Sequence, residues 1–459
     1  MEASPKQHRK TDMIKSILYL VTADLFVPLY YHLSKYLEGC GFSSVFMTFS
    51  LREQLLLKKN TLKVMPDNVF NIHNYPIKEN LFSRQELDDI LNFTMLKFGG
   101  HRKDCEQRLL RVASFIEDTL EKNWFEAALV WNGEDFLLKA LIKLLERRKT
   151  KIVFAENGYF PKTLQFDRMG VNVNSSITQL PFAQIVESLT DSGEHSGKLI
   201  ESDFKLAQFK ALNVCEYVYC FLTRKCNPFY YNHFPEKRGN SWFKEQWLKL
   251  KRSYLPLDKD ILPDKFIFIP FQVHDDTQIM LNSKFFKNME DFFEFSYKAI
   301  KKNFRNEYKI IVKEHPEDLC RYSYSRLRSK YLDVLWLRKY NIDLLLEKAS
   351  YVFVINSSIG LQALQKLKPT IVFGESFYAR DEVVFRVNDL TLIDGVIARA
   401  KEGLTETRKK NITQFINFLK KQYFVCDGWQ NVTESGVVNA GNKIISLLNK
   451  NLAKNTNVA

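Results

Sequence analysis

The sequence predicts a two-domain α/β protein made of doubly wound, mostly parallel sheets. Three observations lead there. The chain has 459 residues, 45% of them hydrophobic, which is too long for one ordinary core. Short buried apolar runs alternate with helix-periodic segments in both halves. A stretch rich in aromatic, charged and proline residues separates the halves.

In the first half, a strand at Ile17–Val21, a turn at Thr22–Val27, a helix over Leu29–Leu37 and a strand at Val45–Phe49 form a β-α-β start. Ala127–Val130 reads as a buried strand, Asn132-Gly133 as a turn and Glu134–Leu145 as a helix. Lys151–Phe154 reads as a strand that ends in a loop, Ala155-Glu156-Asn157-Gly158. The second half repeats the pattern with strands at Phe266–Ile269, Lys309–Val312, Val334–Leu337, Tyr351–Ile355 and Thr370–Phe373, and helices that include Ile342–Lys348 and Ile359–Leu367. Cys215–Pro263, with Pro228, Pro235 and Pro256, lacks strand periodicity and holds the connection. The division predicted is a tail at 1–11, an N-terminal Rossmann-like lobe at 12–225, a connection at 226–262, a C-terminal Rossmann-like lobe at 263–448 and a tail at 449–459. Ligands of open α/β sheets bind beyond the carboxyl ends of the strands, so two such lobes face each other across a cleft.

Composition narrows the function classes. The best candidate for a spanning helix, Ile14–Tyr31, is interrupted by Lys15, Asp24 and Pro28, short of the roughly 20 apolar residues a span needs. No cleavable signal pattern follows Ile17–Val21, and a cytoplasmic protein is expected. Cysteines 40, 105, 215, 220, 226, 320 and 426 are odd in number and scattered, the pattern of reduced thiols. Cys215, Cys220 and Cys226 lack the paired spacing of zinc sites, so no metal is expected. The formal charge of +14 suits nucleic acid, anionic lipid or an acidic substrate. No zinc-finger, RNP or Arg-rich tract accompanies it, whereas basic residues sit beside aromatics in Phe243–Tyr254 and Phe415–Tyr423. That favours an anionic membrane surface over nucleic acid, the alternative being solvated helix faces.

Four motifs fall at predicted strand ends. Glu156-Asn157-Gly158-Tyr159, followed by Gln165-Phe166-Asp167-Arg168 and Gly170-Val171-Asn172, gathers carboxylates and amides. Pro270-Phe271-Gln272 with Asp275-Asp276-Thr277-Gln278 offers polar partners for a sugar or ribose. Lys313-Glu314-His315-Pro316 lines up a cation, a carboxylate and an imidazole. Asn356-Ser357-Ser358-Ile359-Gly360-Leu361 turns a strand into a helix through small hydroxyl residues, a natural phosphate seat. Singly, each has a structural use: a helix cap, a loop hydrogen bond, a buried ion pair. Together, in this order, they point to a ligand cleft.

These motifs resemble the bacterial capsule-polysaccharide synthesis proteins that include retaining β-Kdo transferases. The carriers are Glu156-x-Gly158-Tyr159, Gly170-Val171-Asn172, Pro270-x-Gln272 with Asp275-Asp276, Glu314-His315-Pro316 and Asn356-Ser357-Ser358-x-Gly360-Leu361-x-Ala363-Leu364. The resemblance implies a GT-B-like fold, with the N-terminal lobe on the acceptor side and the C-terminal lobe binding the nucleotide. It further implies CMP-Kdo as donor, and a lipid-linked or glycan acceptor at the inner face of the bacterial inner membrane, where the chain would be peripheral. His315, Ser357 and Ser358 would hold the CMP moiety, with Gln272, Asp276, Lys313, Glu314 and Asn356 completing the donor site.

Retention is most simply achieved by two displacements through an enzyme carboxylate. Related sequences often carry Glu-Asp-Gly or Glu-Glu-Gly where this chain has Glu156-Asn157-Gly158, so the nucleophile falls to Glu156 first and Asp167 second. Asn157 would instead bind a sugar hydroxyl or carboxylate. The carboxylate of Kdo calls for a cation, supplied by Arg168 or Lys313. A single-phosphate leaving group is stabilised by a helix start and side chains, and neither metal nor other cofactor is expected. The competing readings are a GT-B transferase with another nucleotide sugar and a non-catalytic assembly protein that binds a glycolipid or nucleotide. The acceptor would be sought near Thr22–Val27 and Tyr30-Tyr31.

Overall fold

The computed structural model describes residues 15–22, 26–49, 51–60, 62–65, 72, 75–98, 102–134, 136–187, 241–426 and 432–450. Cys215, Cys220 and Cys226, the tail residues 1–11 and 451–459, residues 23–25 of the Thr22–Val27 turn and residues 226–240 of the connection lie outside them. The strands are β1 (Lys15–Val21), β2 (Phe42–Thr48), β3 (Val64–Met65), β4 (Ala127–Trp131), β5 (Lys151–Asn157), β6 (Thr163–Asp167), β7 (Phe266–Pro270), β8 (Lys309–Lys313), β9 (Leu335–Leu337), β10 (Tyr351–Val354), β11 (Thr370–Val372), β12 (Phe385–Arg386) and β13 (Phe424–Cys426).

They form two sheets, one ordered β13-β6-β5-β4-β1-β2-β3 and the other β12-β11-β10-β7-β8-β9. The second is parallel throughout. The first is parallel from β3 to β5 and then turns antiparallel at β6 and again at β13. The central strands are continuous apolar runs because both of their faces are covered. Helices Arg84–Phe98, Arg102–Lys122 and Phe136–Arg147 pack on one face of the first sheet, and Val27–Gly39 and Glu434–Asn449 on the other. Ile342–Lys348, Ser358–Gln365 and Glu406–Phe418 cover one face of the second sheet, and Met289–Phe304 and Ile393–Lys401 the other. The result is a GT-B-like pair of Rossmann-like lobes. Each has a crevice where the strand order reverses, between β1 and β4 and between β7 and β10.

Three expectations are corrected. Glu156 and Asn157 are not in a loop: β5 carries them and folds back through a hairpin onto β6, with Glu156 opposite Gln165. The C-terminal lobe does not keep the chain to residue 448. β13 pairs with β6, placing Phe424 opposite Gln165. The helix Glu434–Asn449 then docks on Val27–Gly39, where Tyr36 Oη donates to Asn442 Oδ1 at 2.8 Å. Phe415–Tyr423 is not a membrane face, since Phe415, Phe418, Leu419 and Tyr423 are buried in the core.

That core also takes in Phe160, Ile177 and Ile185 from the chain preceding the connection. Arg380 fastens the same region by donating to the carbonyls of Ile177 and Leu180. Among the described residues, no helix is long and apolar enough to cross a membrane.

Candidate functional site

Glu156 stands at the carboxyl end of β5, next to the turn that leaves β4. That turn is Asn132-Gly133, both with positive φ (60° and 93°). Glycine is required at 133, where a Cβ would come within 2.9 Å of the Phe154 ring. The turn brings the Asn132 side chain onto the carboxylate: Asn132 Nδ2 donates to Glu156 Oε2 at 2.5 Å, and the Asn157 backbone N–H donates to Oε1 at 2.8 Å. Burial raises the Glu156 carboxyl above its ordinary range, opposed by these hydrogen bonds and one from the Trp131 side chain. Asn132 Oδ1 is buried with no partner among the described residues. Asn157 is exposed. Asn132 was read from sequence only as a turn residue; its role depends on β4 and β5 being neighbours.

Asp167 is not a second candidate nucleophile. The hairpin register sets it opposite Phe154, two positions back along β5 from Glu156. It is 1% exposed. Its oxygens accept from Met169 N–H (2.8 Å), Ser176 N–H (2.9 Å), Ser176 Oγ (2.6 Å) and Tyr423 Oη (3.2 Å). Such a carboxylate orders the chain around it and has little room for a sugar. Arg168 is likewise committed elsewhere, donating to the carbonyls of Leu447 (3.2 Å) and Lys450 (3.5 Å) at the end of the last helix. Its guanidinium is therefore engaged away from the place of a sugar carboxylate beside Glu156. Tyr30 is in the core and its partner Tyr31 half-buried, so the pair offers no open acceptor platform.

In the C-terminal lobe the crevice is bridged by amides. Gln272, just past β7, donates from Nε2 to Asn356 Oδ1 at 3.0 Å and to Asp276 Oδ2 at 3.1 Å. Asn356, just past β10, returns its backbone N–H to Gln272 Oε1 at 3.4 Å and donates from Nδ2 to the Gln278 carbonyl at 2.9 Å. Asp276 caps the helix Thr277–Asn282 by accepting from Gln278 N–H at 2.8 Å. Glu314 is buried and ion-paired with Arg328. Gln272, Asn356 and Glu314 are thus buried and bonded within the protein, while Asp276 stays half-buried beside them.

Lys313, His315, Ser357 and Ser358 remain partly accessible at the same strand ends. Burial lowers both Lys313 and His315 from their ordinary values. The Glu317 N–H donates to His315 Nδ1 at 3.1 Å, which assigns the proton of the neutral ring to Nε2. Ser357 caps the helix Ser358–Gln365, its Oγ accepting from Ile359 N–H at 3.2 Å. Tyr378 Oη donates to the Ser357 carbonyl at 2.5 Å, an approach open only because residue 360 is glycine.

The lobes meet at Tyr159, whose ring contacts Phe377 and Tyr378 edge-on with centroids 4.7 and 6.1 Å away. The charges of both Glu156 and Asp276 act on its buried hydroxyl, raising it beyond the usual tyrosine range with burial the larger cause. Tyr159 is thus the ring that stands within reach of both charges, one from each lobe.

A family model described as capsule polysaccharide biosynthesis protein matches residues 129–384, more than half of the chain and inclusive of all four motifs. Protein FixF of Sinorhizobium fredii (strain NBRC 101917 / NGR234) is 26% identical over 297 residues, 65% of this chain and 60% of its own length. The chain thus matches less than two thirds of that relative. The capsule polysaccharide export protein KpsS of Escherichia coli is 26% identical over 311 residues, 61% of this chain and 77% of KpsS. Among solved structures, Thermosulfurimonas dismutans KpsC, a beta Kdo 2,7 transferase, aligns over 88% of this chain and 98% of its own, with 16% identity and a TM-score of 0.39.

Proposed function

Because the chain belongs to the capsule polysaccharide biosynthesis family, we propose that it is a glycosyltransferase acting on a nucleotide-activated acidic sugar, with CMP-Kdo as donor and retention of configuration. The observation that carries this reading is Glu156: a half-buried carboxylate at the carboxyl end of β5, held by Asn132 and the Asn157 N–H. In the first displacement a Glu156 oxygen bonds to the anomeric carbon as the bond to the donor phosphate breaks, its electron pair leaving with CMP. In the second, an acceptor hydroxyl displaces Glu156 from that carbon and its proton passes to solvent, which regenerates the carboxylate. Each oxygen of Glu156 has a second lone pair beyond the one its donor occupies. Lys313 is the cation suited to the sugar carboxylate; the neutral His315, through Nε2–H, and Ser358 suit the nucleotide.

The acceptor in this reading is lipid-linked or a glycan at an anionic membrane surface. Support comes from the helix Ser241–Tyr254 and its continuation. Trp247 (56% exposed), Leu250 and Tyr254 (80%) share one helical stripe, followed by Leu257 and Ile261 (94%). Lys249, Lys251 and Lys259 are exposed beside them. Aromatic, aliphatic and lysine side chains in that mix suit a headgroup boundary. The expected outcome is flotation of the protein with vesicles containing phosphatidylglycerol but not with phosphatidylcholine alone, and loss of flotation in Trp247→Ala/Leu250→Ala.

Mass spectrometry of products tests the function. Incubation with CMP-Kdo generated in situ and with lysophosphatidylglycerol or short Kdo-terminated glycans should add one Kdo to an acceptor. No product with any acceptor, together with no thermal shift on adding CMP, would overturn the donor assignment and favour a non-catalytic assembly role.

A further inference from the structure

A histidine–aspartate pair, His274 and Asp318, stands at the C-terminal crevice. His274 lies in the turn that leaves β7, between Gln272 and Asp276. Its Nδ1 is 2.8 Å from Asp318 Oδ1, and its backbone N–H donates to Asp318 Oδ2 at 2.8 Å. Asp318 is fully buried, and Tyr324 Oη also donates to it at 3.1 Å. The His274 ring lies flat on Tyr322, with centroids 4.4 Å apart and planes 13° apart. Tyr322 is itself held by donating to Glu290 at 2.5 Å. Both the position and the plane of the imidazole are therefore set from two sides.

The geometry also selects the nitrogen that faces outward. A buried carboxylate on Nδ1 directs that N–H inward and leaves Nε2 for a ligand, the arrangement by which a carboxylate orients a working histidine. Asp318 already receives the His274 backbone N–H and the Tyr324 hydroxyl, so the ring is not needed to satisfy it. The His274 side chain is 25% exposed. The other charge at the ring is Asp275, 3.8 Å from Nδ1 and paired with Arg321; Glu290 lies behind Tyr322. An imidazolium seated on Asp318 presents Nε2–H outward, the donor that a phosphate oxygen takes. The same turn carries Asp276, whose charge acts on Tyr159 of the opposite lobe and on His315.

We propose that His274 binds the phosphate of the nucleotide donor through Nε2, with Asp318 and Tyr322 as its positioning residues. The inference rests on the nucleotide-sugar reading and assigns that reading a phosphate ligand outside the Glu314-His315-Pro316 and Asn356-Ser357-Ser358 motifs.

The test compares CMP with cytidine by titration calorimetry on the full chain, since the two ligands differ only in the phosphate. Asparagine at 274 keeps an amide near the Nδ1 position, where it still reaches Asp318, but has nothing at Nε2. The preference of the wild type for CMP over cytidine should shrink about tenfold or more in His274→Asn, the scale of one charge-assisted hydrogen bond. Cytidine affinity and melting temperature should be unchanged. His274→Gln, which restores a donor near the Nε2 position, should recover part of the preference. An undiminished preference in His274→Asn would overturn the inference while leaving the nucleotide reading intact. Failure of the wild type to bind CMP at all would overturn the nucleotide reading and this inference with it.

Discussion

In the N-terminal sheet, whose crevice lies between β1 and β4, the end of the next strand β5 presents one half-buried carboxylate, Glu156, backed by the amide of Asn132. In the C-terminal sheet the crevice between β7 and β10 is closed at its base by two amides, Gln272 and Asn356, bonded to each other. The strand order around the two crevices is the same and the chemistry differs. A carboxylate that is to attack carbon must be kept underprotected, and the cost appears as burial that raises its proton affinity. A neutral amide pair carries no such penalty, so it fixes geometry without competing for the ligand. In the proposed reading one lobe reacts and the other holds.

The largest effect that separates them is Glu156→Gln, which should lower transfer about a thousandfold or more in a product assay while preserving the fold. Its stability effect has a definite sign. Burial raises the folded-state value, so stability linked to Glu156 is complete in acid and is lost as pH rises through that value. Glutamine carries no such loss; the variant should melt above the wild type near neutrality and level with it in acid. Melting curves across pH check this, and a variant that melts lower at neutral pH would contradict it.

Asp167→Asn should do the reverse. It should cost about 2–4 kcal/mol in denaturant unfolding, because a carboxylate with four donors loses charge and gains an N–H that meets other donors. The folded fraction should retain transfer; abolished activity with unchanged stability would make Asp167 chemical after all. On the holding side, Asn356→Ala should cost about 1–3 kcal/mol by leaving Gln272 and the Gln278 carbonyl short of partners. It should also raise KM for the donor more than it lowers kcat. The smallest effect is a coupling: Gly360→Ala sets a Cβ 2.5 Å from Tyr378 Oη, and Tyr378→Phe should relieve part of a loss of about 1–3 kcal/mol.

Local pattern made the parallel core readable. β1, β4, β7, β8 and β10 are continuous apolar runs bounded by polar turns, and their ends are where the four motifs fall. Three features lay beyond local pattern. β13 has three residues and pairs with β6 about 260 positions earlier, so neither its existence nor its lobe is encoded nearby. Asp167, Arg168 and Glu314 read as site residues because they are charged and adjacent to motifs. Their partners Tyr423, Leu447 and Arg328 arrive from other elements and turn them into fastenings. His274 and Asn132 were passed over for the converse reason: each becomes significant only when Asp318 or Glu156 is folded against it. Phe415–Tyr423 and Phe243–Tyr254 both mix aromatic and basic residues, yet the first is core and the second exposes Trp247, Leu250 and Tyr254.

The claim that Glu156 is the attacking group is tested most directly by mass spectrometry of the protein itself, incubated with CMP-Kdo and no acceptor. The account predicts that the protein gains the mass of one Kdo residue, on the peptide containing Glu156, and that Glu156→Gln gains none. An adduct on another carboxylate, or full transfer by Glu156→Gln, would contradict it.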